Sequence, residues 1–482
     1  MWMRGTLLLL ALAISSCTCA PRRPTLTRAR LARLPDGVTH GSLAVNDDST
    51  DFIYAEATPD GARVIHRGVA GPAYTSVAQT RLAPGTDGIF YWAVNGTAEA
   101  REVFLVANDT PLKIDPPIAR PMQVVFTPTG KRWAVVAGTE PRDDGHSPGV
   151  VRVWVDGRSV GQFADMTQPA FSRDGKHVAA LVDAGAGSAA LMVDGRQVRV
   201  FDAPTRAAVP RLQPNPIGPN MPEQYAIAYL IDGRLLLLTT DRDGWAVYRG
   251  DQRLASYPGN QARAGDGPRV DFGGVLAAAP SIAAGSLSAA SAAPVAAWWG
   301  RDAGAEPHWR VLRDGSPELV SCGRPTNDPP ALSADGRHLA YACFDAPIDQ
   351  ASTVSVLHDG RRYGPYNDVW AVTISNDGRH VAFAADGGDP QRPWFYVVDG
   401  KRHRLRFDQA FPPRFSPDGA HVAWVAKRER GEPRGAKFLL FLDGNSYASS
   451  DEVVSGPHFA ADGTLSWAAL RGKRLSRVEV KG

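Results

Sequence analysis

Four histidines recur at one place in one motif: Phe171-Ser-Arg-Asp-Gly-Lys-His177, Leu332-Ser-Ala-Asp-Gly-Arg-His338, Ile374-Ser-Asn-Asp-Gly-Arg-His380 and Phe415-Ser-Pro-Asp-Gly-Ala-His421. Imidazole is a common metal ligand, so a ring of four suggests an ion site. Equivalent positions of a repeat, however, point along similar directions at wide separation and cannot meet one ion at about 2.1 Å each. The histidines therefore read as parts of the repeat, and neither a metal nor a cofactor is expected. The runs Asn46 to Asp51 and Asp241 to Gly244 have some calcium-loop character but lack the full acidic spacing with a distal Glu, and read as turns. No nucleophile elbow, zinc-binding His-Glu pair, phosphate loop or dinucleotide fingerprint is present, so catalysis has no local signature.

Cysteine is the other reactive residue, and the chain has four. Arg4, the apolar run from Leu7 to Ile14 and the small residues Ser15 and Ser16 have the layout of a secretion signal, too short to span a bilayer as a helix. Ile14-Ser15-Ser16-Cys17 resembles the lipobox of bacterial lipoproteins. That resemblance implies a signal peptide over 1–16, a diacylglyceryl group on Cys17 and, with Thr18 rather than Asp next, an outer-membrane location facing the periplasm. Residues 17–41, with Arg22, Arg23, Arg28, Arg30 and Arg33 among Pro and Thr, read as a flexible tether near anionic headgroups. Export to an oxidising compartment favours a disulfide between Cys322 and Cys343, with two buried free thiols as the alternative. Cys322 is expected to close one repeat unit and Cys343 to end the second strand of the next.

The elements that position these residues follow from the repeat. Weaker copies of the motif start at Leu43, Leu82, Phe126, Tyr229, Leu287 and Phe459, and the spacing, 41 to 45 residues over most of the chain and 58 in its middle, falls in the range of propeller blades. About 20 residues after each strong copy comes an Asp-Gly pair between apolar β-formers, as in Val153-Trp-Val-Asp-Gly-Arg158 and Phe441-Leu-Asp-Gly-Asn445. Asp-Gly is the strongest short hairpin signal, because a type I′ turn needs positive φ at both central residues. Each unit thus reads as two hairpins, or four strands. Runs such as Val178-Ala-Ala-Leu-Val182 are apolar on both faces, as stacked sheets require. The expected fold is all-β: one propeller over 42–482, of eight or nine four-stranded blades or of seven or fewer, closed by strands from both chain ends.

The strongest copy, Phe415-Ser416-Pro417-Asp418-Gly419 followed by Val422-Ala423-Trp424, resembles the WD40-like, or PD40, repeat family, whose propellers include that of the periplasmic Tol system. The resemblance covers most of residues 43 to 482 and implies a propeller. It carries little about function, and the α/β domain that accompanies the Tol-system propeller has no counterpart here.

In such blades the A–B and C–D turns emerge on one rim and the B–C and D–A connections on the other. Asp-Gly turns close the first rim, whereas Glu140 to Gly149, Ala346 to Ser352, Asp386 to Pro393 and Lys427 to Gly435 form long segments on the second. Binding normally resides on such loops. Arg392 with Trp394, and the cluster Arg142, Asp143 and His146, are the candidate partner-binding anchors. A net charge of only +3 over 482 residues argues against nucleic acid. The expected role is a non-enzymatic, lipid-anchored scaffold for a protein partner, with a propeller hydrolase or lyase acting on glycan or peptide as the alternative.

Overall fold

The computed structural model describes residues 24 to 481 except 39–41, 87, 98–100, 113–119, 128, 139–149, 165, 167–168, 186–187, 203–226, 230–232, 242–243, 259–296, 302–308, 314–315, 318–322, 327–329, 347–351, 391–392, 404 and 430–436. Every regular element in the described residues is a strand, and these strands form ten antiparallel sheets. Six of the ten are built from four consecutive strands ordered A to D, as in Ala170–Phe171, Val178–Gly185, Ser188–Val193 and Arg196–Asp202 of the fourth blade, and in two more the first strand is split in two. The chain is a β-propeller.

Why these segments form strands is visible in their burial. Second strands such as Val422 to Ala426 and Val381 to Ala385 are continuous buried runs, because both faces are covered by neighbouring blades. Blade-to-blade cores follow in order. One joins Ile53 and Val64 to Ile89 and Tyr91, another joins Ala382 and Tyr396 to Trp424 and Phe441, and a third joins Val425 and Leu440 to Trp467 and Val478.

One expectation needs correction. The ten sheets are roughly the eight or nine blades expected, and the unit begun by Phe459 is itself a blade. Its own strands, Glu452–Val453 with His458–Phe459, Leu465–Arg471 and Arg474–Lys481, take Thr25–Arg33 as their outermost partner, with Leu26 opposite Val480 and Arg33 opposite Arg474. Residues 25–33, read as tether, are thus the strand that closes the ring, and the propeller starts at Thr25. Leu34, Tyr54 and Ile65 then pack on Ala468, Leu470 and Leu475, so the first blade is sealed against the last.

Candidate functional site

The recurring motif builds a welded rim. In the fourth blade the Ser172 hydroxyl donates to Asp174 Oδ1 at 2.7 Å and accepts from the His177 amide at 2.9 Å. His177 Nδ1 hydrogen-bonds Asp194 Oδ2 at 2.7 Å, while Asp194 Oδ1 accepts the Val178 amide at 2.9 Å. The same set recurs as His338 with Asp359, His380 with Asp399 and His421 with Asp443, at 2.6 to 2.7 Å. Each histidine therefore has a carboxylate of its own blade as partner, and the four do not converge. Among the described residues no group of three or more His, Cys, Asp or Glu is placed to hold a metal ion.

Backbone conformation explains the turn residues. At the Asp-Gly C–D turns both central residues have positive φ, as at Asp443 (49°) and Gly444 (83°), the type I′ geometry. At the A–B turns only the glycine does: Gly175, Gly336, Gly378 and Gly419 lie at 70° to 75°. A side chain there is strained. Blades that depart from the motif keep the contact with other residues. In the third blade Arg132 replaces the histidine, its Nε donating to Asp156 Oδ2 at 2.8 Å and its Nη1 reaching the Gly175 and Lys176 carbonyls of the next blade. In the second, Asn108 accepts the Ile89 amide at 3.0 Å.

These bonds tune the carboxylates. Hydrogen bonds from the Ser172 hydroxyl and the Lys176 amide hold Asp174 down to about 2. At Asp194 burial pushes upward, but the bonds from His177 and the Val178 amide outweigh it and leave the group below the usual carboxylate value. The Arg337 amide and the Ser333 hydroxyl lower Asp335, the Ser375 hydroxyl lowers Asp377 despite some desolvation, and the Ser416 hydroxyl with the Ala420 amide lowers Asp418.

The opposite rim carries the segments between strands at 139–150, 345–353, 387–393 and 429–436. Arg142, Asp143, His146 and Arg392 lie outside the described residues. Trp394 is placed differently from expectation. It begins the strand Trp394–Val398 opposite Asp386, exchanges backbone hydrogen bonds with Phe407, and packs half-buried against the core between the eighth and ninth blades. Its ring thus packs at the foot of the loop. Beside it the sequence reading missed Asp368 and Asp386, paired across adjacent strands. Asp368 sits exposed at the head of the inner strand, where desolvation raises it, the Val369 amide lowers it, and the Asp386 charge raises it further. Two aspartates 18 positions apart give no sequence signal until the strand register is known.

Cys343 is disulfide-bonded and buried. Cys322 lies outside the described residues. The Gly323 amide nevertheless donates to the Phe344 carbonyl at 3.0 Å, and Arg324–Pro325 runs antiparallel to Cys343 and Phe344, so the chain next to Cys322 lies in the same sheet as Cys343 rather than in the preceding one. Cys17 is also outside the described residues.

No known protein family matches the chain, and no curated protein matches it. Solved structures do. A eukaryotic initiation factor aligns at 11% identity over 83% of this chain and 97% of its own, with a TM-score of 0.41. The Dos1 propeller aligns at 10% identity over 95% of each chain, with a TM-score of 0.36. The β-propeller domain of the trilobed protease from Pyrococcus furiosus aligns at 9% identity over 77% of this chain and 96% of its own, with a TM-score of 0.30.

Proposed function

We propose that this propeller is a PD40-type, lipid-anchored scaffold of a bacterial envelope, fixed to the outer membrane through Cys17, facing the periplasm and presenting its long-loop rim to a protein partner without catalysing a reaction. The observation that carries this reading is the asymmetry of the rims. One is tied by a repeated hydrogen-bond network with each histidine committed to its own blade, and the other holds the long connections. The anchor fits the closure of the ring, because a lipid on Cys17 leaves a short chain before Thr25 and so holds the tenth blade's outer edge at the bilayer. Arg28 and Arg30 are exposed on that edge, where they suit anionic headgroups. Cys322 is the proposed partner of Cys343 in the disulfide.

The test is metabolic labelling with a palmitate analogue in cells carrying wild type or Cys17→Ser. Loss of label and release of the variant from membranes support the anchor, and equal labelling contradicts it. One observation favours a second reading, a hydrolase acting on glycan or peptide: a paired carboxylate with a raised member is the pattern of a general acid beside an ionised partner. Asp368→Asn would then abolish hydrolysis of cell-wall fragments while leaving melting unchanged.

A further inference from the structure

The outer half of the tenth blade gathers positive charge onto one face. Arg33 stands opposite Arg474, and Arg474 in turn stands opposite Arg471, so three arginines occupy one row across three strands. Residues directly opposite in an antiparallel pair share a face with their Cβ atoms about 4.5–5.5 Å apart, and like charges so placed repel. Further along the closing strand, Arg30 stands opposite Ser476 and Arg28 opposite Val478, which alternate with Arg474 and so lie on its face. Arg33 joins them through a bulge. The register passes over Leu31 between Arg30 and Ala32, and without that extra residue Arg33 would turn to the other side. Leu475, one position beyond Arg474, does face the other way, where it packs with Tyr54 of the first blade.

The arginine face looks toward the ninth blade. Arg28 donates to the Tyr447 carbonyl at 3.3 Å, and Arg471 Nε donates to the Ser449 carbonyl at 3.1 Å. All five arginines are exposed. Among the described residues none of the five is paired with a carboxylate, and Arg30, Arg33 and Arg474 make no hydrogen bond. The acids bonded to the turn between Arg471 and Arg474 are already taken: Asp451 holds Lys437 and the Gly472 amide, and Asp36 holds Lys473. The first blade shows the ordinary arrangement, in which Arg63 stands opposite Glu56 and pairs with it at 2.9 Å.

We infer that this face binds two neighbouring phosphate groups, one between Arg33 and Arg474 and one between Arg474 and Arg471, with Arg30 and Arg28 extending the site along the strand. The planar guanidinium fork matches phosphate oxygens in paired hydrogen bonds, and an anion between two forks turns their repulsion into attraction. Charge on an edge strand also deters pairing with another sheet, but that purpose needs only the outermost strand, whereas Arg474 and Arg471 lie on the two strands behind it. The site rests on described residues and is independent of lipid on Cys17.

The experiment uses the full chain carrying Cys17→Ser, so that acylation contributes to no arm. In calorimetric titration inorganic pyrophosphate should bind at least tenfold more tightly than orthophosphate, and Arg474→Gln should weaken pyrophosphate at least tenfold. Arg33→Gln, on the outermost strand, should do the same and serves if Arg474→Gln fails to fold. Without ligand, Arg474→Gln should melt no lower than its parent, because it removes a repelling neighbour. Cosedimentation with vesicles of cardiolipin in phosphatidylcholine would assign the two phosphates to a lipid headgroup, whereas pyrophosphate binding without cosedimentation would assign them to a soluble compound, and either supports the site. Pyrophosphate binding no tighter than orthophosphate, folded variants that bind like the parent, or vesicle binding without pyrophosphate binding would each overturn it. A lower melting temperature for folded Arg474→Gln would make the row a structural feature and overturn it as well.

Discussion

The two rims of this propeller are made from one repeat yet differ in what holds them. On the tight-turn rim, a serine, two aspartates and a histidine in each strong copy satisfy one another and the local backbone. The turns also bind across blades: His358 Nε2 lies 2.8 Å from the Gly378 carbonyl, and Asn376 donates to the Pro417 carbonyl at 3.0 Å. On the long-loop rim the strands end at connections whose lengths change from blade to blade, and among the described residues no comparable repeat of side chains ties them. The difference shows that recurrence marks stability in this fold. Residues that recur are holding blades together, so specificity is to be sought where the copies diverge.

The largest break of that contrast is at Gly378, which has φ of 72° and whose added Cβ would run into the His338 ring. Gly378→Val should cost about 3 kcal/mol from strain and overpacking together, read by urea denaturation, with partner capture from cell extracts unchanged in the folded fraction. A cost near zero would separate the rim network from stability. Trp394→Ala comes next. Because the ring packs against Phe407 and its neighbours, truncation should cost about 2 kcal/mol, again by denaturation.

Acid should act on the same rim. Asp174, Asp194, Asp335, Asp377 and Asp418 are held below the usual carboxylate value in the folded chain. A lowered folded value means that their stabilisation is present above about pH 4, where the unfolded chain is also ionised, and is lost as the pH falls through the folded values. The urea midpoint should therefore drop between pH 5 and pH 2, and Asp194→Asn should flatten part of that drop. A midpoint independent of pH would remove these carboxylates from the account. The smallest stability effect is expected on the opposite rim, where Arg142→Ala should stay within about 0.5 kcal/mol of wild type while weakening partner capture about tenfold.

What the sequence disclosed divides along the same line. The Asp-Gly turns and the apolar second strands were legible because their causes are local: a φ that only certain residues adopt, and burial on both faces. The closing strand was not. Thr25–Arg33 lies at the outer edge with one face largely in water, so its alternating Arg residues resemble a solvated tether, and only pairing with Arg474–Lys481 reveals it. Trp394 follows Pro393 and read as the end of a loop, because its contact with Phe407 is made by the far end of its own blade's outer strand. The histidines were legible as parts of the repeat, but their aspartate partners lie 17 to 22 residues away. The signal was present, since Asp156 remains in the third blade, where Arg132 takes the histidine's place. The Asp368–Asp386 pair depends on the register of neighbouring strands, which no repeat motif encodes.

The central claim, that one rim holds the fold and the other meets a partner, is tested most directly by photo-crosslinking in cells. A benzophenone side chain is placed either at Glu429, at the base of a long loop, or at Lys176, on a tight turn, and crosslinked products are identified by mass spectrometry. The account predicts a discrete adduct from position 429 and none from position 176. An adduct from position 176 alone would contradict it.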